Sequence, residues 1–392
     1  MANLQILLRQ HVGAPCAPVV KAGDRVEKGT LIATPTGLGA NIFSSAYGVV
    51  EDVLEDRIII KPDEEQKDEY VKIPEGSKLD MVKAAGVVGM GGAGFPTNVK
   101  LSPKNADEIE YIIVNASECE PYLTSDYRRL LDETDKVIEG LRLALAIFPK
   151  AKGIIAVEDN KPKAIQKLKE VLGNDPDIKV NSMKTKYPEG AERQLIYANT
   201  GRYINSKMLP ADAGCIVHNV DTVYSICEAV RQGKPLIQRL VTVTGDAITE
   251  PCNYLVRTGT SFAELIEAAG GFLQDPEKII AGGPMMGKAI YDLNIPVTKS
   301  SSAILCMTKD EVSEYEPSNC IRCGRCVEVC PGRVMPNKLA TLAEQGDLEE
   351  FQKLNGMECC ECGCCSYVCP AKRHLTQTIA GTRKAILANR KK

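Results

Sequence analysis

The chain has 392 residues, of which 44% are apolar and 25% are charged, and its formal net charge is −3 at pH 7. This length predicts several domains with real cores, and the near-neutral charge without a long basic tract argues against a nucleic-acid partner. No run approaches the roughly 18 apolar residues that a membrane span needs, and the N-terminus lacks the layout of a signal peptide. The 16 cysteines of such a chain predict a reducing cytoplasm, where thiolates serve as metal ligands rather than in disulfides.

The first stretch, residues 1–62, combines short β-branched runs with glycine turns, which predicts a small all-β unit. Its segment Val20–Gly29 resembles the barrel-sandwich hybrid fold of biotinyl and lipoyl domains. Carriers of that fold hold a modified lysine at a hairpin tip, whereas the corresponding segment Thr34–Gly39 has none. We therefore expect a docking or packing role without a lipoyl or biotinyl group. A charged linker follows from Pro62 to Pro74.

A glycine-rich loop follows a helix-like stretch that begins at Leu79. The loop has four candidate phosphate-binding glycines and a basic residue beyond them, namely Gly89, Gly91, Gly92, Gly94 and Lys100. The formal G-x-G-x-x-G pattern is weak here, because the dinucleotide fingerprint needs a strand before it. We predict a loop whose N–H groups cradle a phosphate near the charge of Lys100. A merely flexible loop is the alternative.

The middle of the chain alternates between strand-like and helix-like segments, which predicts a parallel, wound α/β sheet. The predicted strands span residues 111–116, 153–157, 178–183 and 215–219, and the predicted helices span 122–148, 162–172, 189–199 and 222–231. Ligands of such sheets bind at the carboxyl ends of the strands. The first such end carries the amide of Asn115 and the carboxylates of Glu118 and Glu120, so we expect these three side chains at a binding crevice.

A compact α+β module is predicted after about residue 240. Short strands and one helix at 261–269 precede a second glycine cluster, Gly282–Gly287. The remainder of the chain has two helix-forming stretches, at 338–354 and 375–389.

Two cysteine runs within residues 320–370 carry the clearest chemistry. Each has the spacing C-x-x-C-x-x-C-x-x-x-C-P of bacterial ferredoxins, in which the fourth cysteine ligates the cluster of the other run. We therefore predict one [4Fe–4S] cluster on Cys320, Cys323, Cys326 and Cys369, and a second on Cys359, Cys362, Cys365 and Cys330. Zinc is the alternative, but zinc sites generally use two separated cysteine pairs. Cys360 and Cys364 are either alternative ligands or, as we expect, packed or solvent-facing thiols.

These segments together resemble a known family. The glycine loop 89–100, the strand end 115–121, the cluster 282–287 and the two cysteine runs resemble the C subunit of the Rnf electron-transport complex. The flavin half is similar to the FMN- and NADH-binding subunit of respiratory complex I. Relatives with the same layout are the cobalamin reductase of propanediol-degrading compartments and an electron-transfer protein associated with proline reductase.

The resemblance implies a multidomain α/β architecture with four units. They are a lipoyl-like β unit at 1–62, an FMN- and NADH-binding α/β domain at 75–236, a β-grasp, SLBB-like module at 237–297, and a helical two-[4Fe–4S] ferredoxin-like domain at 305–392.

The resemblance also implies site residues. Positions that contact the flavin or its phosphate correspond to Gly89, Gly91, Lys100, Asn115, Glu118, Tyr187, Glu192 and Asn219. Phe95 and Glu120 match residues that contact the nicotinamide cofactor, Phe95 by stacking. This chain departs from complex I at Ser117, Ala191 and His218, where complex I has Asp, Glu and Asn. These departures bear on NADH affinity more than on FMN affinity.

The resemblance therefore implies an NADH-dependent oxidoreductase. It oxidises NADH at FMN and passes single electrons through two [4Fe–4S] clusters to a partner protein, either a membrane Rnf-type complex or a soluble reductase. Such a protein is cytoplasmic, free or peripheral to a membrane complex, with no transmembrane segment of its own. The alternative is a non-enzymatic electron relay between partner proteins with a vestigial nicotinamide site. A yellow flavin component in the visible spectrum favours the enzyme, and iron–sulfur absorbance alone favours the relay.

Overall fold

The computed structural model describes residues 2–389. The outermost ends of the first and last predicted domains, residue 1 and residues 390–392, lie outside the described residues. The N-terminal unit has two antiparallel sheets, ordered β1-β7-β6-β3 and β2-β4-β5, around one apolar core. Its strands are β1 (Leu4–Leu7), β2 (Cys16–Pro18), β3 (Arg25–Val26), β4 (Leu31–Pro35), β5 (Ile42–Phe43), β6 (Gly48–Val53) and β7 (Arg57–Pro62). The predicted small all-β unit is confirmed.

Two short helices flank the glycine loop. Helix α1 (Lys78–Ala84) begins after Ser77, whose hydroxyl accepts a hydrogen bond from the backbone N–H of Asp80. Helix α2 (Thr97–Lys100) follows the loop. An isolated bridge between Val88 and Pro96 joins the two ends of the loop, so the glycines project as one compact turn.

A four-stranded parallel sheet, ordered β10-β9-β8-β11, forms the centre of the molecule. Its strands are β8 (Tyr111–Ala116), β9 (Lys152–Glu158), β10 (Ile178–Met183) and β11 (Cys215–Asn219). Both faces are buried, because alternate residues of β8 belong to two different apolar clusters. Ile112 and Val114 pack in one cluster, and Ile113 packs in the other. The predicted wound α/β sheet is confirmed, and β8 and β11 end side by side, with Asn115 opposite Asn219.

Five helices cover this sheet: α3 (Ser125–Asp132), α4 (Thr134–Leu145), α5 (Pro162–Leu172), α6 (Glu192–Thr200) and α7 (Val220–Gln232). The single helix predicted at 122–148 is therefore wrong. The chain leaves helical geometry at Glu133, where φ is −127° and ψ is 36°. The hydroxyl of Thr134 donates to the carbonyl oxygen of Leu130, a local bond that competes with regular helix geometry.

The next sheet has five strands in the order β13-β12-β16-β14-β15. They are β12 (Gln238–Thr244), β13 (Cys252–Arg257), β14 (Lys278–Ala281), β15 (Lys288–Ile290) and β16 (Ala303–Met307), and helix α8 (Phe262–Ala268) packs on them. The central strand β16 comes last in sequence, pairing parallel to β12 and antiparallel to β14. The sheet thus extends past residue 297 and overlaps the predicted start of the last unit at residue 305. The other domain boundaries stay predictions.

The C-terminal segment is helical. Its elements are α9 (Arg325–Glu328), α10 (Pro336–Gln345), α11 (Leu348–Lys353), α12 (Cys364–Tyr367) and α13 (Leu375–Asn389). The predicted helix at 338–354 is two helices, because Gly346 adopts a left-handed conformation (φ 74°) and Asp347 caps α11. No helix within residues 2–389 is both long and apolar enough to cross a bilayer.

Candidate functional site

The glycine loop faces the carboxyl end of β11. Gly91 has a φ of 75°, which favours glycine. A Cβ atom on Gly91 would lie 2.9 Å from Nδ2 of Asn219, so a side chain there would collide with this amide. Gly92 is exposed, and a Cβ on it would meet no other atom within 4 Å. The loop therefore presents accessible backbone toward a crevice, as a phosphate cradle requires.

The remaining loop glycines serve the fold. The backbone N–H of Gly89 donates to the carbonyl of Phe95 at 2.7 Å, which closes the loop. Gly94 is buried against the backbone of Gln10 and His11, with φ 72°. The sequence predicts Gly89 and Gly94 as cofactor contacts, and these two interactions give them a structural part in positioning the loop.

A chain of hydrogen bonds runs from Asn219 to Glu118 across the crevice. Asn219 Nδ2 donates to Asp126 Oδ2 at 2.6 Å. The two carboxylate oxygens of Glu118 accept from the backbone N–H groups of Asp126 and Tyr127, at 2.8 and 3.1 Å. Glu118 thus caps the first turn of α3, where the helix dipole favours a negative charge. The two predicted flavin residues Asn219 and Glu118 are brought together through Asp126.

Two neighbouring carboxyl groups along these hydrogen bonds have raised pKa values. Burial raises the pKa of Glu118, and the charge of Asp126 raises it further. Burial also raises the pKa of Asp126, with the charge of Asp221 adding to the effect. Asp221 itself is buried between Arg129 and Arg239. Sequence reasoning missed this network, because Asp126 and Arg129 have the polar pattern of an ordinary helix surface.

The buried imidazole of His218 has hydrogen-bonding atoms without partners. It is 2% exposed, and neither ring nitrogen has a hydrogen-bond partner within residues 2–389. Burial lowers its pKa to about 3, and the charge of Lys100 contributes, so the ring is neutral. Buried polar atoms in native proteins normally have partners. An orphaned imidazole next to Lys100 therefore fits a site that holds a polar group, such as a flavin.

Other predicted flavin residues surround the same strand ends. Lys100 Nζ lies 3.2 Å from Oε1 of Glu192 and 3.2 Å from the carbonyl oxygen of Val217. Asn115 Nδ2 donates to the carbonyl of Gly190 at 2.8 Å. Asn115 therefore lies near the end of β8, Lys100 at the end of α2 and Glu192 at the start of α6, and Lys100 also contacts β11.

The two predicted nicotinamide contacts differ in their surroundings. Oε1 of Glu120 accepts from the backbone N–H groups of Met285 and Met286, at 2.6 and 3.0 Å. A Cβ on Gly283 would lie 1.9 Å from Cγ of Glu120, so only glycine fits there. Glu120 thereby joins the strand end to the glycine cluster of the β-grasp module, and Oε2 has no partner within residues 2–389. Phe95 is half-buried beside the loop.

The eight predicted cluster ligands lie around two cavities. The first, here the outer cavity, is lined by Cys320, Cys323, Cys326 and Cys369. The second, here the inner cavity, is lined by Cys330, Cys359, Cys362 and Cys365, with Cys360 and Cys364 also on its wall. The fourth cysteine of each run thus faces the other run's cavity, as the ferredoxin pattern requires. Among residues 2–389 no three His, Cys, Asp or Glu side chains converge on a point suited to a single metal ion.

The inner cavity adjoins the domain that contains the crevice. The hydroxyl of Tyr187 donates to the carbonyl oxygen of Cys362 at 2.7 Å. From the adjoining helix α6, Arg193 forms an ion pair with Glu358 at 2.8 Å, and Gln194 Nε2 donates to the carbonyl of Pro331 at 3.1 Å. Tyr187, predicted to line the flavin, therefore contacts the backbone of a predicted cluster ligand.

Four protein families match successive parts of the chain. Residues 1–71 match the RnfC barrel sandwich hybrid domain and residues 82–228 the Nuo51 FMN-binding domain. Residues 240–289 match the SLBB domain and residues 312–335 a 4Fe-4S binding domain.

Curated relatives cover nearly the whole chain. The C subunit of the proton-translocating ferredoxin:NAD(+) oxidoreductase complex of Clostridium ljungdahlii is 46% identical over 95% of this chain and 86% of its own length. The C subunit of the Na(+)-translocating ferredoxin:NAD(+) oxidoreductase complex of Acetobacterium woodii is 44% identical, over 97% of this chain and 90% of its own length. The C subunit of the ion-translocating oxidoreductase complex of Rhodobacter capsulatus is 39% identical over 91% of this chain and 72% of its own length.

Among solved structures, the NAD+-reducing [NiFe]-hydrogenase is similar in fold. Its H2-reduced form superposes with a TM-score of 0.54 at 19% identity, over 79% of this chain. The air-oxidized form gives a TM-score of 0.55 at 20% identity. This chain spans only 60% and 62% of the matched hydrogenase chains, and at such identity the likeness concerns the fold alone.

Proposed function

The chain belongs to the family of Rnf-type C subunits, and from that premise we propose that it is an electron-transfer oxidoreductase that oxidises NADH at FMN and passes single electrons through two [4Fe–4S] clusters. The observation that carries the proposal is the hydrogen bond from Tyr187 to the carbonyl of Cys362. It joins the crevice of the FMN-type domain to the inner cavity. A flavin accepts the electron pair of a hydride and releases single electrons, which the clusters require.

The residues divide this work between binding and orientation. The backbone of Gly91 and Gly92, with Lys100 nearby, would hold the phosphate. Asn115, Glu192 and the neutral imidazole of His218 would hold the polar parts of the flavin. Burial raises the pKa values of Glu118 and Asp126 at the crevice, which favours the neutral forms of these carboxyl groups.

The nicotinamide cofactor would bind on the open side of the crevice. Phe95 would supply a stacking face, and the free Oε2 of Glu120 would accept a hydrogen bond from a ribose hydroxyl. Its Oε1 is already engaged by the amides of Met285 and Met286, which holds the carboxylate in one orientation. The partners would be other subunits of an ion-translocating complex, as in the named relatives.

The test is an anaerobic titration of the FMN- and cluster-loaded protein with NADH. We expect bleaching of the flavin band and reduction of ferricyanide. Glu120→Gln keeps an acceptor for the two amides and removes the charged oxygen, so it should weaken NADH binding roughly tenfold, which is about 1.4 kcal/mol, without loss of FMN. Glu75→Gln, at an exposed position, is the matched control.

One outcome would favour the relay instead. If dithionite reduces the loaded protein but excess NADH leaves it oxidised, the protein exchanges electrons only with other proteins, and the nicotinamide site is vestigial.

A further inference from the structure

The N-terminal β unit contacts the glycine loop through one short segment, residues 10–12, here the strap. The backbone N–H of Val12 donates to the carbonyl oxygen of Gly94 at 3.2 Å. A Cβ atom on Gly94 would lie 3.2 Å from the carbonyl oxygen of Gln10 and 3.2 Å from Cα of His11, so the two segments are in close contact. The strap therefore holds the glycine loop near its C-terminal end.

Buried polar groups fix the strap within the β unit. The side chains of Gln10 and His11 are both buried. Nε2 of Gln10 donates to the carbonyl oxygen of Leu7 at 3.0 Å. On the ring of His11, Nε2 lies 3.3 Å from Sγ of Cys16 and Nδ1 lies 3.2 Å from the carbonyl oxygen of Val12. Because these polar atoms are engaged in the interior, the strap has a single defined conformation from which to hold the loop.

Lys299 holds the other end of the glycine loop. Its side chain is 1% exposed, and Nζ donates to the carbonyl oxygen of Gly86, at 2.7 Å, and to that of Asn41. Gly86 lies between α1 and the loop, whereas Asn41 belongs to the N-terminal β unit. The backbone N–H of Lys299 donates to Oε1 of Gln10 at 3.0 Å. One buried lysine thus joins the entry of the loop to the β unit and to the strap.

The ammonium group of Lys299 is an expensive way to join these segments. Burial lowers the pKa of Lys299 to about 7, and no carboxylate pairs with it within residues 2–389. Apolar packing would join two units at a lower cost in desolvation. A donor shared by two carbonyl oxygens does something that apolar contacts do not, since each hydrogen bond requires a defined distance and direction. The contact therefore fixes the position of the backbone at Gly86.

The two attachments hold the base of the loop and leave its tip accessible. At the base, Val88 forms a bridge with Pro96, and the backbone N–H of Thr97 donates to the carbonyl oxygen of Val87 at 3.0 Å. Residues 91–93 at the tip are exposed. Movements of the base would change the directions of the N–H groups at the tip.

We propose that Lys299 and the strap are positioning residues for the phosphate of FMN, because they hold the base of the glycine loop in the form whose tip binds that group. The inference rests on the proposed function for the identity of the ligand. It gives the N-terminal β unit a part in cofactor binding. The phosphate is the part of FMN that depends most on this support, since several backbone N–H groups must point at it together. The rest of the flavin would contact side chains at the strand ends.

The experiment compares the binding of FMN and riboflavin, which differ only in the phosphate, to the cluster-loaded full chain freed of flavin. Lys299→Met keeps the apolar part of the side chain and removes the ammonium group. We expect it to raise Kd for FMN roughly tenfold and to leave Kd for riboflavin within about twofold of the wild type. The preference for FMN over riboflavin is then lost, whereas general damage to the fold would weaken both ligands equally. Flavin fluorescence measures both constants.

A second variant tests the strap at a position that is less buried. Val12→Pro removes the N–H group that donates to Gly94, and the side chain of Val12 is 37% exposed. It should shift the preference between FMN and riboflavin in the same direction as Lys299→Met. This variant decides the question if Lys299→Met does not fold.

The matched control is Ser45→Ala. Ser45 is fully buried, and its hydroxyl donates to the carbonyl oxygen of Thr258 at 2.6 Å. This bond joins the β unit to the β-grasp module and does not involve the glycine loop. Ser45→Ala should therefore leave Kd unchanged for both ligands. Iron content and denaturant unfolding verify the clusters and the fold in every variant.

Hydrogen exchange of the flavin-free protein, followed by mass spectrometry, tests the loop without a ligand. We expect faster exchange at residues 87–95 in Lys299→Met and Val12→Pro, and wild-type rates in Ser45→Ala. Equal weakening of FMN and riboflavin, the same loss of preference in Ser45→Ala, or wild-type exchange in Lys299→Met would overturn the proposal. Wild-type protein that binds no flavin contradicts the proposed function, and the exchange rates still decide by themselves whether Lys299 holds the loop.

Discussion

At the scale of single residues, the hydroxyl of Tyr187 is the most informative group. It donates to the carbonyl of a predicted cluster ligand, so the positive end of its O–H dipole points to the loop that surrounds the inner cavity, where it would stabilise the more negative, reduced state of a bound cluster. We predict that Tyr187→Phe lowers the midpoint potential of the inner cluster by about 40 mV, the one-electron equivalent of a bond worth about 1 kcal/mol. A redox titration followed by electron paramagnetic resonance measures this shift.

The control for this change is Tyr367→Phe, since Tyr367 belongs to the same cysteine run but is 79% exposed. The midpoint potential of the inner cluster in Tyr367→Phe should equal that of the wild type. An inner-cluster potential that is unchanged in Tyr187→Phe would show that the contact has no influence on the cluster.

The raised pKa values of Glu118 and Asp126 predict a pH dependence of stability. Their pKa values are raised in the folded protein, so above about pH 4, where an unfolded carboxyl releases its proton, the folded state retains protons that the unfolded state has lost. By linkage, the free energy of unfolding falls as pH rises through this window toward the raised pKa values. Asp126→Asn removes one titrating group and should flatten that fall.

Denaturant unfolding of the flavin-free protein at pH 5 and pH 8 measures the effect. We expect Asp126→Asn to gain about 1–2 kcal/mol on wild type at pH 8 and much less at pH 5. Asp275→Asn, at an exposed position, should have the same free energy of unfolding as the wild type at both pH 5 and pH 8. Parallel profiles for wild type and Asp126→Asn would contradict the assignment.

At the scale of elements, the glycine loop and the end of β11 form one binding surface. Gly91 lies against Asn219, so a larger side chain would both strain the backbone and displace the amide. We predict that Gly91→Val lowers FMN affinity at least roughly tenfold, measured by flavin fluorescence on titration of the apoprotein. Gly37→Val is the control, because Gly37 lies in the hairpin tip with open space around it. Stoichiometric FMN in Gly91→Val would place the flavin elsewhere.

At the scale of the whole molecule, the two cavities predict an order of reduction. Cys323→Ser should remove the outer cluster and about four of the roughly eight iron atoms, while NADH still reduces the inner cluster. Cys362→Ser should remove the inner cluster and leave the outer one oxidised under NADH. Electron paramagnetic resonance distinguishes the two centres.

The same experiment checks the exchange of ligands between the runs. Cys369 lines the outer cavity although it belongs to the second run, so Cys369→Ser should reproduce the phenotype of Cys323→Ser. Substitution of Cys360 or Cys364 should leave both clusters in place. Damage to the inner cluster in Cys369→Ser would show that the ligand sets are assigned wrongly.

Local patterns were sufficient for much of this protein. The spacing of eight cysteines within about fifty residues predicts two cross-ligated clusters, and the predicted ligands of each cluster line one cavity. The alternation of strands and helices predicted the parallel sheet, and strand β8 ends at the expected Asn115, which lies opposite Asn219 of β11. Helix α13 spans the predicted residues 375–389. Each of these signals is carried by residues near one another in sequence.

Only the tertiary structure decided the interactions that join distant segments. Nothing in the sequence places Met285 over Glu120, Asp126 beside Asn219, or strand β16 at the centre of a sheet that begins about sixty residues earlier. A polar residue in a helix has the same pattern whether it faces water or a crevice, and a short apolar strand has the same pattern at the edge or the centre of a sheet. Likewise, the two cysteine runs are nearly equivalent in sequence. Only the tertiary structure shows that the flavin-type domain contacts the second run, while Cys320 and Cys323 of the first run are exposed.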